Sequence, residues 1–165
     1  MNRDNPVEDI STYTSTPPCS EMGLAPGETC QFGYINIVHF ITSHGVNYNK
    51  LSLAARIMTR ALDNAIEVSM TGYPDADSRQ SAQLKRKIGI GVCGLADSLI
   101  IRDIPYDTEK ARQFTRDVLS FINFQSKLES VELAEKRGSC KAMNNFIANK
   151  YYAGNVTKSK LYFYQ

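Results

Sequence analysis

From Asp107 or Thr108 to about Arg137, the residues Ala111, Phe114, Val118, Ile122, Leu128 and Val131 recur at mostly helical spacing. Apolar positions returning every third or fourth residue mark one face of an α-helix. Asp107 or Thr108 suits the N-cap, and Gly138 is a natural stop. Some thirty residues at 1.5 Å each make a rod of ~45 Å. The whole chain has 165 residues, enough for one domain with a modest core. A helix of that length on a chain of that size is expected to pack against more protein than is present.

A second one-sided helix is expected from Leu51 to Met70, where Ala54, Ile57, Met58, Ala61, Leu62, Ala65 and Ile66 keep the same period. Asn47 and Asn49 offer N-caps, and Gly72 and Pro74 end it. A short polar helix follows around Ser78–Lys87, and another over Leu95–Ile101, broken by Ile104-Pro105-Tyr106. Phe32 to Thr42 is rich in β-branched and aromatic residues. Ile35, Ile37 and Val38 fit a buried strand there, with a helical turn allowed at its end. Residues 1–29 hold Pro6, Pro17, Pro18, Pro26, Gly23 and Gly27, the signature of an irregular loop with a short strand at Ser11–Ser15. So long a loop in a compact domain is functional or lies against something else. The end, Asn144 to Gln165, is polar and tyrosine-rich, with a strand start at Leu161–Gln165.

Composition narrows the function classes. The formal charge is +2 with basic residues scattered, so no nucleic-acid footprint is expected. The longest near-continuous apolar run, Ile35 to Ile41, is far short of the ~20 residues of a membrane span. The N-terminus lacks an apolar signal core, so a cytoplasmic setting is the default expectation. Four cysteines (Cys19, Cys30, Cys93, Cys140) contain no C-x-x-C, and neither His39 nor His44 sits in a zinc-like motif. Reduced thiols and no metal site are expected.

Two stretches carry chemistry. Gly89-Ile90-Gly91-Val92-Cys93-Gly94 satisfies G-x-G-x-x-G, the pattern of a nicotinamide-dinucleotide-binding oxidoreductase, but the charged Leu84-Lys85-Arg86-Lys87 precedes it instead of an apolar strand. Close backbone approach and a tight strand-to-helix turn explain these glycines better. In Pro17-Pro18-Cys19-Ser20-Glu21 a thiol and a carboxylate stand two positions apart. Residues i and i+2 of an extended backbone point the same way, so both can face one substrate. Three readings stay open on these residues alone: an incidental loop cysteine, a hydrolytic cysteine with His39 or His44 as base, and a thiol that abstracts hydrogen while the acid handles the proton.

Longer blocks favour the last. Ser15-Thr16-Pro17-Pro18-Cys19-Ser20-Glu21, then Cys30-Gln31-Phe32-Gly33-Tyr34-Ile35-Asn36, resembles the finger loop of ribonucleotide reductase large chains, close to T-N-P-C-G-E and C-N-L-G-S-I-N. Ala61–Glu67 is similar to that family's F-L-D-N-V-I-D, and Arg86–Asp97 to R-R-I-G-L-G-V-M-G-F-A-D. Asp103–Tyr106 is similar to G-I-P-Y, and Glu132–Gly138 to E-L-A-E-E-R-G. The blocks keep the family's order over roughly residues 4–140.

The resemblance implies an α/β fold, the central fragment of a ten-stranded α/β barrel, mainly helical with one or two short strands and an extended N-terminal loop. It implies one partial domain over 1–165: finger loop 11–36, helical and strand segments 47–140, and an irregular tail 141–165. In catalysis it implies Cys19 as thiyl-radical carrier, Glu21 as general base and acid, and Cys30 as one of two reducing cysteines. It also implies Thr16, Pro17 and Ser20 as substrate-binding residues. Partners would be a ribonucleoside di- or triphosphate, complementing chains of the same barrel and a thioredoxin-like reductant. The short Cys19–Cys30 spacer leans to adenosylcobalamin as radical source, the alternative being a separate metal-containing subunit. Pro17 departs from the family's asparagine and loses its amide, which keeps a catalytically inactive relic or partner-binding helical module as the rival reading. Gln31 for asparagine and Tyr34 for serine read as milder changes.

Overall fold

The computed structural model describes residues 2, 5, 7 and 10–146, with the side chains of 144–146 excepted. The chain enters regular structure at β1 (Gln31–Asn36), turns through a 3-10 helix over Ile37–Phe40, and makes a small hairpin of β2 (Ile41–Thr42) and β3 (Gly45–Val46). Then come α1 (Tyr48–Val68), a 3-10 turn at Ser69–Thr71, α2 (Ala76–Lys85), β4 (Ile88–Cys93), α3 (Leu95–Ile101), α4 (Glu109–Arg137) and α5 (Lys141–Phe146). The expected strand over Phe32–Thr42 is thus cut short by the 3-10 turn, which Asn36 caps by accepting from the Val38 N–H. At Ser11–Ser15 the expected strand is only a single bridge, Ser15 to Leu24. The tail expected to be irregular from 141 opens with α5, and Leu161–Gln165 lies outside the described residues.

Helix ends obey the sequence. Asn47 accepts from the Lys50 N–H and Thr108 from the Ala111 N–H, each satisfying an orphan donor of a first turn. Asp75 does the same for α2 through Ser78, and Gly138 closes α4.

β1 and β4 pair in parallel, Gln31 with Ile88 through to Asn36 with Cys93. Parallel neighbours need a crossover, here the run through α1 and α2. Alternation then gives the pair two faces. Ile35, Ile90 and Val92 face α1 and α4 and form the core with Ile37, Leu51, Ala55, Val118 and Ile122. α1 and α4 run in the same direction, since Ser52 bonds Gln125, Arg56 bonds Glu129 and Arg137 bonds Asp63 at offsets of 73, 73 and 74 positions. The unit is therefore two parallel strands backed on one face by two parallel helices. No described helix is long and apolar enough to cross a membrane.

The apolar period of α1 indicates the helix but misplaces its buried stripe. Leu51, Ala55, Thr59, Leu62 and Ile66 are buried, whereas Ile57 is 57% exposed. α1 lies between β1 and α4, and the stripe facing both includes Thr59, whose hydroxyl donates to the Ala55 carbonyl and contacts Ser126. Next to it Glu129, 2% exposed, takes Arg56 at 2.9 Å and also Arg60. A buried carboxylate is tolerable only with such partners. Glu129→Ala is expected to cost about 1–3 kcal/mol, below the fully buried case because both arginines reach water. Urea unfolding of the full chain checks it, with Glu129→Gln falling between.

Candidate active site

The loop ahead of β1 is a hairpin-like finger. Thr14 and Ser15 donate to the Leu24 carbonyl and Leu24 donates back to Ser15, closing its stem. At its tip the Ser20 N–H donates to the Pro17 carbonyl at 2.9 Å, a tight turn over Pro17–Ser20. Ser20 takes φ +58, a left-handed conformation uncommon outside glycine. The Thr16 and Ser20 hydroxyls lie 3.5 Å apart across the turn. Cys19 is exposed at this tip.

A charged clamp fixes the finger to the sheet. The Glu28 carboxylate takes Lys85, from the last turn of α2, and Lys87, just before β4, the latter at 2.5 Å. It also accepts the Ala25 N–H at 2.8 Å. Lys87 donates to the Gly23 carbonyl and sits 4.0 Å over the Tyr13 ring, while Lys85 reaches the Ser11 hydroxyl. Burial works to raise the Glu28 pKa, but the bonds from Lys85 and Lys87 win and hold it below its ordinary 4.5.

The sheet face opposite the core receives the finger. Phe32, Tyr34 and Asn36 alternate toward it, in register with Gly89, Gly91 and Cys93. The glycines leave a bare floor. A Cβ on Gly89 would meet Glu21 Cγ at 2.6 Å and Cys30 Sγ at 3.3 Å, and one on Gly91 would meet the Tyr34 ring at 2.5 Å. The G-x-G segment is thus itself strand, roofed by the finger. It does not form a phosphate loop at a helix N-terminus, and the dinucleotide reading is set aside. Close approach and the strand-to-helix turn, with Gly94 at φ +77, account for these residues.

Glu21 and Cys30 meet on this floor, with the Tyr34 ring beside them. Cys30 Sγ lies 3.7 Å from Glu21 Oε1. Burial pushes the Cys30 thiol up to about 11, helped by the Glu21 charge and hydrogen bond, with Lys87 opposing. The neighbouring Cys19 side chain, then burial and the charges of Cys19, Glu21 and Cys30, push the Tyr34 phenol up to about 12. Glu21 Oε2 is buried with no hydrogen-bond partner among the described residues. An unsatisfied carboxylate oxygen is costly. A thiol against a carboxylate, with a phenol on the same face, suits proton exchange.

Of the residues singled out in the sequence, Glu21 and Cys30 meet, and Cys19 stands exposed in the turn with Thr16, Pro17 and Ser20. The Pro17 carbonyl, the one polar group proline keeps, already accepts from Ser20. His39 and His44 are exposed at and after the 3-10 turn. Sequence reasoning passed over Tyr34, Glu28, Lys85 and Lys87. The alternation Phe32, Tyr34, Asn36 beside Cys30 was the available signal.

Comparison with known proteins agrees in direction. A family model described as the ribonucleotide reductase barrel domain matches residues 1–163. The vitamin B12-dependent ribonucleoside-diphosphate reductase of Thermoplasma acidophilum is 37% identical over 139 residues, covering 84% of this chain and 18% of its own length. That of Mycobacterium tuberculosis (strain CDC 1551) is 36% identical over 145 residues, 88% and 21% respectively. The ribonucleoside-diphosphate reductase large subunit of African swine fever virus (isolate Tick/South Africa/Pretoriuskop Pr4/1996) is 29% identical over 157 residues, 91% and 20%. The chain spans about a fifth of the length of these curated relatives.

Two outcomes follow from the electrostatics. Glu28, with its folded pKa held down, contributes stability above its unfolded value that is lost as pH falls through and below 4.5. Urea midpoints between about pH 5 and 3 should fall more steeply for the wild type than for Glu28→Gln. Cys30, held as a thiol, should resist iodoacetamide at neutral pH. Glu21→Gln removes a charge that raises its pKa, so peptide mass spectrometry should find alkylation at Cys30 about threefold faster or more.

Proposed function

Because the chain belongs to the ribonucleotide reductase barrel-domain family, we propose that it carries the finger-loop part of a reductase that converts ribonucleoside diphosphates to deoxyribonucleotides by thiyl-radical chemistry. The observation that carries this reading is the meeting of Glu21 and Cys30 on the glycine floor of β4, with Cys19 two residues from Glu21 at the exposed finger tip. As thiyl, Cys19 takes the 3′ hydrogen atom of the ribose: the S–H bond forms as C3′–H breaks. Glu21, with one buried oxygen unpartnered, moves protons at the sugar hydroxyls, and Cys30 supplies half of a reducing dithiol that a thioredoxin-like protein resets. Thr16, Pro17 and Ser20 shape the substrate side of the tip. The setting is cytoplasmic.

The unit is one partial domain, with the finger over 11–36, the scaffold over 47–140 and the remainder from 141. It forms part of a ten-stranded barrel whose other strands come from complementing chain segments. Support comes from the two-stranded parallel sheet, in which β1 and β4 pair only with each other among the described residues. Further support is the ≈ 1250 Å³ cleft along Ile88, Ile90 and Val92.

Relatives named as vitamin B12-dependent favour adenosylcobalamin, with a separate metal-containing subunit as the alternative. When bound, adenosylcobalamin supplies radical-forming chemistry. The exposed Cys19 thiol fits a group approaching from outside the finger, and the residues that would hold that group belong to the complementing segments. The second reading, an inactive relic, draws on Pro17, whose engaged carbonyl replaces an amide.

Mixing the chain with complementing barrel segments, the radical source and a dithiol reductant should give deoxynucleotide formation that Cys19→Ala abolishes. Product formation that survives Cys19→Ala, or none from the wild type under any complementation, would reject the reading.

A further inference from the structure

Glu21 and Cys30 stand nine positions apart and still bring their side chains to 3.7 Å, so the chain between them has to turn back in a fixed way. It does so at Ala25–Glu28, where the Glu28 N–H donates to the Ala25 carbonyl at 3.1 Å and Gly27 takes φ +75. Proline followed by a left-handed glycine is the pattern of a type II turn. Across this loop one ammonium spans both limbs. Lys87 Nζ donates to the Gly23 carbonyl at 2.9 Å, two residues after Glu21, and to the Glu28 carboxylate at 2.5 Å, two residues before Cys30. It lies 4.0 Å over the Tyr13 ring, against which Gly23 packs so closely that an added Cβ would strike it. Lys85 takes the other Glu28 oxygen and then the Ser11 hydroxyl, ahead of the finger's stem.

We infer that Lys87 is the positioning residue for the Glu21–Cys30 pair: its ammonium, seated on Tyr13, ties the Gly23 carbonyl to the Glu28 carboxylate and so holds the acid against the thiol. The inference rests on Glu21 and Cys30 having the roles given in the proposed function. The Lys87 side chain is 15% exposed and that of Glu28 3%, so water competes little for these bonds. Lys87 also stands just before β4, and Gly89, two positions on, is the floor under Glu21 Cγ and Cys30 Sγ. One point in the chain therefore sets both the floor and the spacing of the groups above it. Arg86 between the two lysines takes φ +48 and sends its guanidinium to Asp63 and Glu67. Of three consecutive cations only Lys87 is bonded to Gly23. Such spacing matters because a carboxylate moves a proton only within hydrogen-bond reach.

The test needs no reductase activity. Full-length chain is alkylated with iodoacetamide at about pH 8, and rates are read peptide by peptide by mass spectrometry, Cys140 serving as the remote reference. The quantity compared is the factor by which Glu21→Gln speeds alkylation of Cys30, about threefold or more in the otherwise wild-type chain. That ratio reports contact between the two groups, and it cancels whatever the Lys87 charge itself does to Cys30. Lys87→Met keeps an unbranched chain over Tyr13 and leaves Glu28 its bond to Lys85. In that background the ratio should fall to about one, whereas in Lys85→Met it should stay at about threefold. A ratio in Lys87→Met equal to that of the wild type would overturn the inference, as would its equal loss in Lys85→Met. So would a rise at Cys140 matching that at Cys30, since it reports loosening of the whole chain. Failure of the proposed reductase function shows separately, as absent Cys19-dependent product in the complemented mixture whatever the ratio does.

Discussion

The parallel pairing of β1 with β4 is the constraint on which everything else depends. It fixes which residues of each strand share a side, and a slip of one position would exchange the two sides completely. In the observed register Ile35, Ile90 and Val92 meet α1 and α4, while Tyr34 lies over Gly91 and Cys30 beside Gly89. Core and site are therefore two consequences of one alignment. The apolar demand on one face enforces the register, and the chemistry on the other inherits it.

The finger is held by a different force. Its stem has little apolar surface to bury, and it is pinned by Glu28 between Lys85 and Lys87, with Tyr13 beneath Lys87. Both lysines sit in the six-residue stretch Lys85–Ile90 that ends α2 and enters β4. The strand forming the floor and the cations clamping the loop are thus neighbours in sequence, so placing one places the other. The tip is spared such ties, which leaves Cys19 open to solvent above a fixed base.

Helix positions were legible in the sequence because caps and stops are local chemistry: Asn47, Asp75, Thr108 and Gly138 act within a few residues of themselves. The buried stripe of α1 was not, because which side of a helix is covered depends on what lies next to it. Here that neighbour, α4, comes some seventy residues later and brings a carboxylate, so polar Thr59 is buried and apolar Ile57 is left out. The motif singles out Glu21 and Cys30, and the fold brings these two into contact. The glycines of β4 were understood as permitting close approach, yet only the fold says that Glu21, Cys30 and Tyr34 are what approaches.

The seam between α1 and α4 also bears on how this unit can move. Ser52–Gln125, Thr59–Ser126 and the two arginines on Glu129 recur along the helices at matching heights. A slide of one helical turn, ~5.4 Å, would part Glu129 from one of its two guanidinium groups while it stayed out of water, since Arg56 and Arg60 themselves stand one turn apart. A buried charge that loses a partner is costly to a protein interior. The helical layer is therefore braced against shear, as a toothed rack is.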